Sequence, residues 1–194
     1  ENNTKILNIT IEEKPTGEIS AAAGTGTSGN TFGFGIKENN FLGKNIALDT
    51  NLRFDDETVK GKFSVVNPNW NFSDRSLIAS IESSVTDKMA GFGYETSLTG
   101  FTFGSNWEQY EDLYFSPKIS VFHEKLDTNQ TASDKFKKQE GTYFDTDFSY
   151  GLFLDKRDRR YQTTDGFLSK FNQRVPILSE DYGLYNSYEY TTFN

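Results

Sequence analysis

Polar and apolar residues in this chain alternate one for one, over stretches longer than an ordinary strand. In 31–36, Phe32, Phe34 and Ile36 alternate with Thr31, Gly33 and Gly35. Ile46, Leu48, Leu52 and Phe54 share a face with Thr50, while Asp49, Asn51 and Arg53 share the opposite one. Leu113, Phe115, Ile119 and Val121 line one side of 113–121. After Gly141, Phe144, Phe148, Tyr150, Leu152 and Leu154 oppose Asp145, Asp147, Ser149 and Gly151. Phe167, Phe171, Val175 and Ile177 oppose Lys170, Asn172 and Arg174, and Leu184, Tyr188 and Tyr190 alternate with Ser187 and Glu189. Successive side chains of a strand point to opposite faces, so each stretch reads as a strand with one apolar and one polar face. No segment sustains a period of 3.6.

The pattern predicts strands over 4–13, 17–26, 31–40, 44–54, 57–67, 75–86, 91–104, 108–125, 141–156, 165–177 and 183–193. Most reach the roughly 9–11 residues of a tilted membrane strand, against about 5–6 for a strand of a globular protein. Composition agrees. Only 35% of residues are apolar, which is low for a packed globule but suits strands with one face in lipid and one in water. The excess of 18 Phe and 10 Tyr over 6 Val fits, in part, aromatic girdles at the two membrane interfaces. No run is long and apolar enough for a spanning helix. The fold class is therefore all-β, an antiparallel transmembrane β-barrel. With no Cys there is no disulfide framework and no thiolate chemistry. A net charge of −8, with no basic face, argues against nucleic acid as a partner.

From the second strand on, two kinds of connection alternate. Those over 39–43, 67–74, 104–107 and 155–165 are rich in Asn, Pro, Gly and Asp. Those over 27–30, 55–56, 86–90, 126–140 and 179–182 vary most in length. Barrels of this kind carry short periplasmic turns and longer external loops, which puts the first set in the periplasm. The strand over 4–13 differs: its alternation is imperfect and Pro15, lacking an N–H, limits pairing beyond it. Residues 1–14 are expected to be the tail of an upstream domain, with the barrel running over 15–194.

Several of these segments resemble a known family. The run from Glu12 through Pro15 to Ile19 leads into a Gly-rich strand, and Phe34-Gly35-Ile36 leads into the turn Asn39, Asn40, Phe41, Leu42, Gly43. Asn67-Pro68-Asn69-Trp70 follows at a second turn, and Asp158, Arg159, Tyr161, Asp165 and Gly166 mark a third. All three fall in order at turns of the strand map. Together they resemble the start of the barrel of the Omp85 family, on its outer-membrane assembly branch; Thr163 stands where that family usually has Pro. The resemblance implies that 1–14 ends the last POTRA domain. It also implies that the chain supplies about ten of the family's sixteen strands. The implied location is the bacterial outer membrane, and the implied activity is folding and inserting other barrel proteins. The implied partners are nascent outer-membrane β-barrel proteins, lipoproteins of the assembly complex and outer-membrane lipids. Other members, an autotransporter-assembly factor or a two-partner secretion pore, share the turns. A passive porin would need a stable seam.

No catalytic constellation emerges, so the chain does not read as an enzyme and no cofactor or metal is implied. His123, the only His, falls on the apolar side with Ile119 and Val121. Asp145 and Asp147 sit two apart on a polar face, where solvated lumen is the simpler reading than acid–base chemistry. The basic run over 156–160 is interrupted by Asp158 and reads as a turn near headgroups. The Gly-rich 24–29 lacks the Lys and helix of a phosphate loop.

The first barrel strand is the candidate functional element: Glu18, Ile19, Ser20, Ala21, Ala22, Ala23, Gly24, Thr25 and Gly26. Its small side chains offer few cross-strand contacts, each worth about 0.2–1 kcal/mol. A weak seam can open and present backbone groups to an incoming strand. By composition alone, small residues serve equally to relieve crowding. The resemblance favours the first role, a lateral gate where this strand templates a client.

Overall fold

A computed structural model of the chain describes residues 12, 14–26, 29–178 and 185–193. The upstream segment over 4–13 falls outside them apart from Glu12, as do the loop residues 27–28 and 179–184. Ten strands follow one another: β1 (Gly17–Gly26), β2 (Gly29–Phe41), β3 (Ile46–Phe54), β4 (Thr58–Asn67), β5 (Ser76–Lys88), β6 (Tyr94–Tyr110), β7 (Leu113–Thr128), β8 (Gly141–Asp155), β9 (Gly166–Leu178) and β10 (Tyr185–Phe193). They form a single sheet in sequence order, every neighbouring pair antiparallel. This is the simplest up-and-down topology, in which each strand pairs with the one just made.

The register gathers the alternating residues onto two continuous faces. Ile19 lies opposite Ile36, Ile36 opposite Thr50, Thr50 opposite Phe63, Phe63 opposite Ile81, Ile81 opposite Phe101 and Phe101 opposite Val121. Further along, Phe103, Ile119, Phe148 and Val175 continue the same face. The other face carries Asp49 opposite Ser64 and Ser120 opposite Asp147. Nothing in the described chain covers the apolar face: Phe34, Phe63, Ile81, Phe101 and Ile119 are all exposed. Among the described residues only Leu126 and Ala132 are buried apolar side chains. A sheet without a packed core, with one face apolar along its whole width, is stable only where lipid covers that face.

One expected turn is absent. Residues 104–107 lie inside β6, which runs through Tyr110, and the chain reverses at Glu111 and Asp112 instead. Gly104 and Asn106 act as strand residues because neighbouring strands engage them. A Cβ on Gly104 would meet Lys118 Cγ at 2.7 Å, so glycine there serves close approach. Ser105 Oγ donates to Ser76 O, and Asn106 Nδ2 donates to Ser116 Oγ. Opposite them Pro117 lacks an N–H, and the ladder resumes at Trp107–Phe115. Asp112 takes the left-handed φ of 64° that the tight reversal needs, a conformation Asp tolerates. The loop expected over 126–140 is also shorter, because β7 runs to Thr128. It holds a short helix α1 (Asp134–Lys138), whose Phe136 stacks on Tyr94 at 4.2 Å.

Two irregularities mark the far side. A bulge at Thr146/Asp147 falls opposite Pro176 and Leu178, as a ladder proline favours. There Asp147, 4% exposed, pairs with Arg174 at 2.6 Å. That ion pair gives Asp147 a structural role, while Asp145 is half-buried. His123 is exposed on the apolar face, opposite Thr99 and Phe144.

Candidate functional site: the free edge of the first strand

Among the described residues strand β1 pairs with β2 on one side only, as β10 pairs only with β9 at the other edge of the sheet. All ten of its residues are exposed. From Ser20 to Gly24 its side chains meet β2 in pairs that each contain a small partner: Ser20 with Gly35, Ala21 with Phe34, Ala22 with Gly33, Ala23 with Phe32 and Gly24 with Thr31; nearer the start, Glu18 lies opposite Lys37. Ile19, opposite Ile36, is the single pair of two large apolar residues, and Ile19 is 73% exposed. Along the remaining edge, alternate N–H and C=O groups have no partner in the sheet. Chemically, that edge can do one thing: accept another extended chain.

The turns at one end hold this edge in place. In the β2–β3 turn Leu42, Gly43 and Asn45 all have left-handed φ, of 56°, 70° and 56°. Asn40 Oδ1 accepts the Asn45 N–H at 2.7 Å, and Asn40 O accepts the Gly43 N–H at 2.9 Å. Asn39 donates to Thr16 O through both its backbone N–H, at 3.3 Å, and its side-chain Nδ2, at 3.1 Å. Glu38 accepts from the Thr16 hydroxyl and from the Asn40 N–H. The residue preceding β1 is thus tied to the turn motif. Thr16 and Glu38 were not singled out from sequence, although both adjoin motif residues.

The β4–β5 turn is built on Asn67, whose Oδ1 accepts the Asn69 N–H at 3.2 Å, with Pro68 between them. Asn69 Oδ1 in turn accepts from Asp74 N–H, and Trp70 N–H donates to Arg75 O. The β8–β9 turn closes around Asp158. Its Oδ1 accepts the N–H groups of Thr164 at 3.0 Å and Asp165 at 3.1 Å. Its Oδ2 accepts from the Thr164 hydroxyl and from Arg159 Nε. The Thr164 hydroxyl above all, then the two N–H groups and Arg159, hold the Asp158 carboxyl far below the usual carboxylate range. Asp165 Oδ1 accepts the Gly166 N–H, and Gly166, at φ 107°, would place a Cβ 2.1 Å from Lys156 O. No larger residue fits there. The motif residues are therefore turn builders and touch neither β1 nor one another, apart from the β2–β3 turn and Thr16. Asn69, part of the second motif, and Thr164, inside the third, complete the two turns.

No group of three or more His, Cys, Asp or Glu able to hold a metal occurs among the described residues.

With this sheet and these turns in view, comparison with known proteins decides the family: the Omp85 superfamily domain matches residues 40–193. The chain belongs to the Omp85 superfamily. It is 25% identical, over 180 residues, to the outer membrane protein assembly factor BamA of Neorickettsia risticii (strain Illinois). That match covers 91% of this chain and 24% of the relative. The crystal structure of BamA from Haemophilus ducreyi lacking POTRA domains 1–3 superposes with a TM-score of 0.64 at 22% identity, over 86% of this chain and 35% of that one. The chain thus spans about a quarter to a third of these relatives and corresponds to part of a BamA-like Omp85 barrel. Its apolar face is the lipid face of a barrel in the bacterial outer membrane, and its polar face is the lumen side.

Proposed function

We propose that this chain is the leading part of the barrel of an outer-membrane protein assembly factor, and that β1 is the strand on which client barrels are templated. The observation that carries this reading is how Gly17–Gly26 is held to β2: from Ser20 to Gly24 almost entirely through small side chains. A strand added there gains main-chain hydrogen bonds at once, whatever its sequence, which is the physics of β-augmentation. The names of the relatives, BamA in each case, support the assembly reading. The work is non-covalent: Glu18, Ile19, Ser20, Ala21, Ala22, Ala23, Gly24, Thr25 and Gly26 present backbone, and no side chain performs chemistry. Partners are nascent outer-membrane β-barrel proteins, with assembly-complex lipoproteins at the periplasmic side and outer-membrane lipids around the sheet. The segment over 1–14 is the end of the preceding POTRA domain.

The test is a lock. In the full-length protein, a disulfide placed between β1 and the last strand of the barrel closes the seam. Cells carrying the locked form are expected to lose outer-membrane protein assembly and to regain it on reduction. Normal assembly with the seam fully crosslinked would overturn the gate.

A further inference from the structure

On the lumen side of the β1–β4 region lies a trough of about 630 Å³. Its floor consists of Ser20, Ala22, Gly24, Gly33 and Gly35, and its far wall of Arg53, Lys60 and Lys62. We propose that this trough binds an acidic, extended polypeptide segment, with Arg53, Lys60 and Lys62 pairing its carboxylates. The proposal deepens the templating reading and rests on it: the segment belongs to the client entering at β1.

Arg53 and Lys60 are direct cross-strand partners, a like-charge pairing that destabilises a sheet unless an anion lies between. The side chains of Lys60 and Lys62 make no hydrogen bond or ion pair with the described residues. Glu82 is the cross-strand neighbour of Lys62 but is not in an ion pair with it. Arg53 reaches only Asp55, at 3.9 Å, and remains 64% exposed. Elsewhere on this face Arg174 pairs with Asp147 at 2.6 Å and Lys170 with Glu189 at 3.4 Å, while Lys118 has no ion pair with the described residues. What sets the trough apart is that three cations, with only the long Arg53–Asp55 contact among them, meet on two neighbouring strands.

The floor keeps the space open. A Cβ on Gly35 would strike Ser20 Oγ at 2.6 Å and meet Asn51 Oδ1 at 3.1 Å, while one on Gly33 would stand 3.8 Å from the Ala22 Cβ. The choice of an extended chain follows from spacing. Lys60 and Lys62 project from the same face two residues apart, about 7 Å along β4. Carboxylates at alternate positions of another extended chain repeat at that same interval. A phosphate headgroup lacks that repeat, and the peptide and lipid arms of the experiment separate the two.

The probe is a labelled peptide alternating Asp with Thr, compared with its Asn counterpart, against the full-length protein in lipid nanodiscs. The acidic peptide is expected to bind about tenfold more tightly at low salt, with the preference shrinking at high salt. Lys60→Gln with Lys62→Gln should abolish the preference, and Lys60→Glu with Lys62→Glu should transfer it to a Lys–Thr peptide. Heat-modifiable migration checks that each variant is folded. Equal binding of the two peptides, a preference that survives the Gln pair, or full displacement by short-chain phosphatidylglycerol at equal charge would overturn the proposal. A disulfide from Ile19→Cys to a client strand reports templating separately. If that crosslink forms while the peptide preference is absent, the trough alone fails. If the preference holds without the crosslink, the templating reading fails and the trough stands.

Discussion

The β1–β2 hairpin and the β6–β8 region belong to one sheet and share one kind of ladder, yet they are held together differently. Strand β1 has ten residues, all exposed, and Ile19 is its one large apolar side chain. Strands β6, β7 and β8 have 17, 16 and 15 residues. Across them Trp107 meets Phe115 edge-on at 5.1 Å, Tyr114 meets Phe153 at 6.1 Å, and Phe115 meets Tyr150 at 6.1 Å. Hydroxyls add to this on the lumen side, where Thr102 and Ser120 lie 3.0 Å apart. Backbone pairing is common to both regions, so the difference in cohesion lies in the side chains. The interior of the sheet is fastened by aromatic pairs, and its β1 edge is left almost to its backbone.

Glycine gives the sharpest way to break that comparison. A Cβ at Gly100 in β6 would sit 2.5 Å from two ring atoms of Phe122, whereas one at Gly24 in β1 would meet nothing within 4 Å. Gly100→Ala is expected to destabilise the folded full-length barrel by about 1–3 kcal/mol through overpacking. Gly24→Ala should be neutral or stabilise by up to about 1 kcal/mol, by restricting the unfolded chain. Urea titration followed by heat-modifiable migration measures both. Equal costs at the two sites would mean the hairpin is as tightly packed as the middle of the sheet.

A smaller effect tests the seam directly. Ala21 faces Phe34, and Ala21→Val adds a branched side chain to that pair. The gain is about 0.2–1 kcal/mol, read as roughly 1.4- to fivefold slower amide exchange over residues 20–23. If the templating reading holds, client insertion slows with it. Unchanged exchange would show that cross-strand side chains do not set the looseness of β1.

Most of the strands are legible because they alternate, and eight of the ten lie within about two residues of the ranges the pattern predicts; β6 and β7 meet at Glu111 and Asp112 rather than at 104–107. The misreading at 104–107 has a physical source. Gly104, Ser105 and Asn106 carry the composition of a turn, but their role depends on Lys118, Ser76 and Ser116, which lie on other strands. Local composition holds no record of such partners. The turn motifs were visible as residues, not as geometry: Asp158 was named, while Thr164, which supplies its strongest contact, was not. The cationic wall of the trough was likewise hidden. Arg53 and Lys60 become neighbours only once β3 and β4 are in register.

The smallest expected effect concerns the turn that closes the fastened region. The folded-state pKa of Asp158 is depressed, so its contribution to stability is complete above the ordinary carboxyl value of 3.8 and is lost as pH falls through the lowered value. Protection of the Thr164 and Asp165 amides, taken relative to intrinsic exchange at each pH, should therefore fall on acidification below about pH 4. Asp158→Asn should raise their exchange at neutral pH and flatten the acid response. A response identical in the variant would move the acid sensitivity to another group.

The bonds around Thr16 hold one end of the loose hairpin. Its carbonyl receives two donors from Asn39, and its hydroxyl reaches Glu38. At the opposite tip, Gly24 and Gly26 have open space where a side chain would be. The two ends of the hairpin are therefore held in different ways: its open end by the bonds of Thr16 to Glu38 and Asn39, and its other end by the short connection from Gly26 to Gly29. A pull on the outer edge of β1 is resisted at both ends of the strand and least in its middle, where only small side chains meet β2.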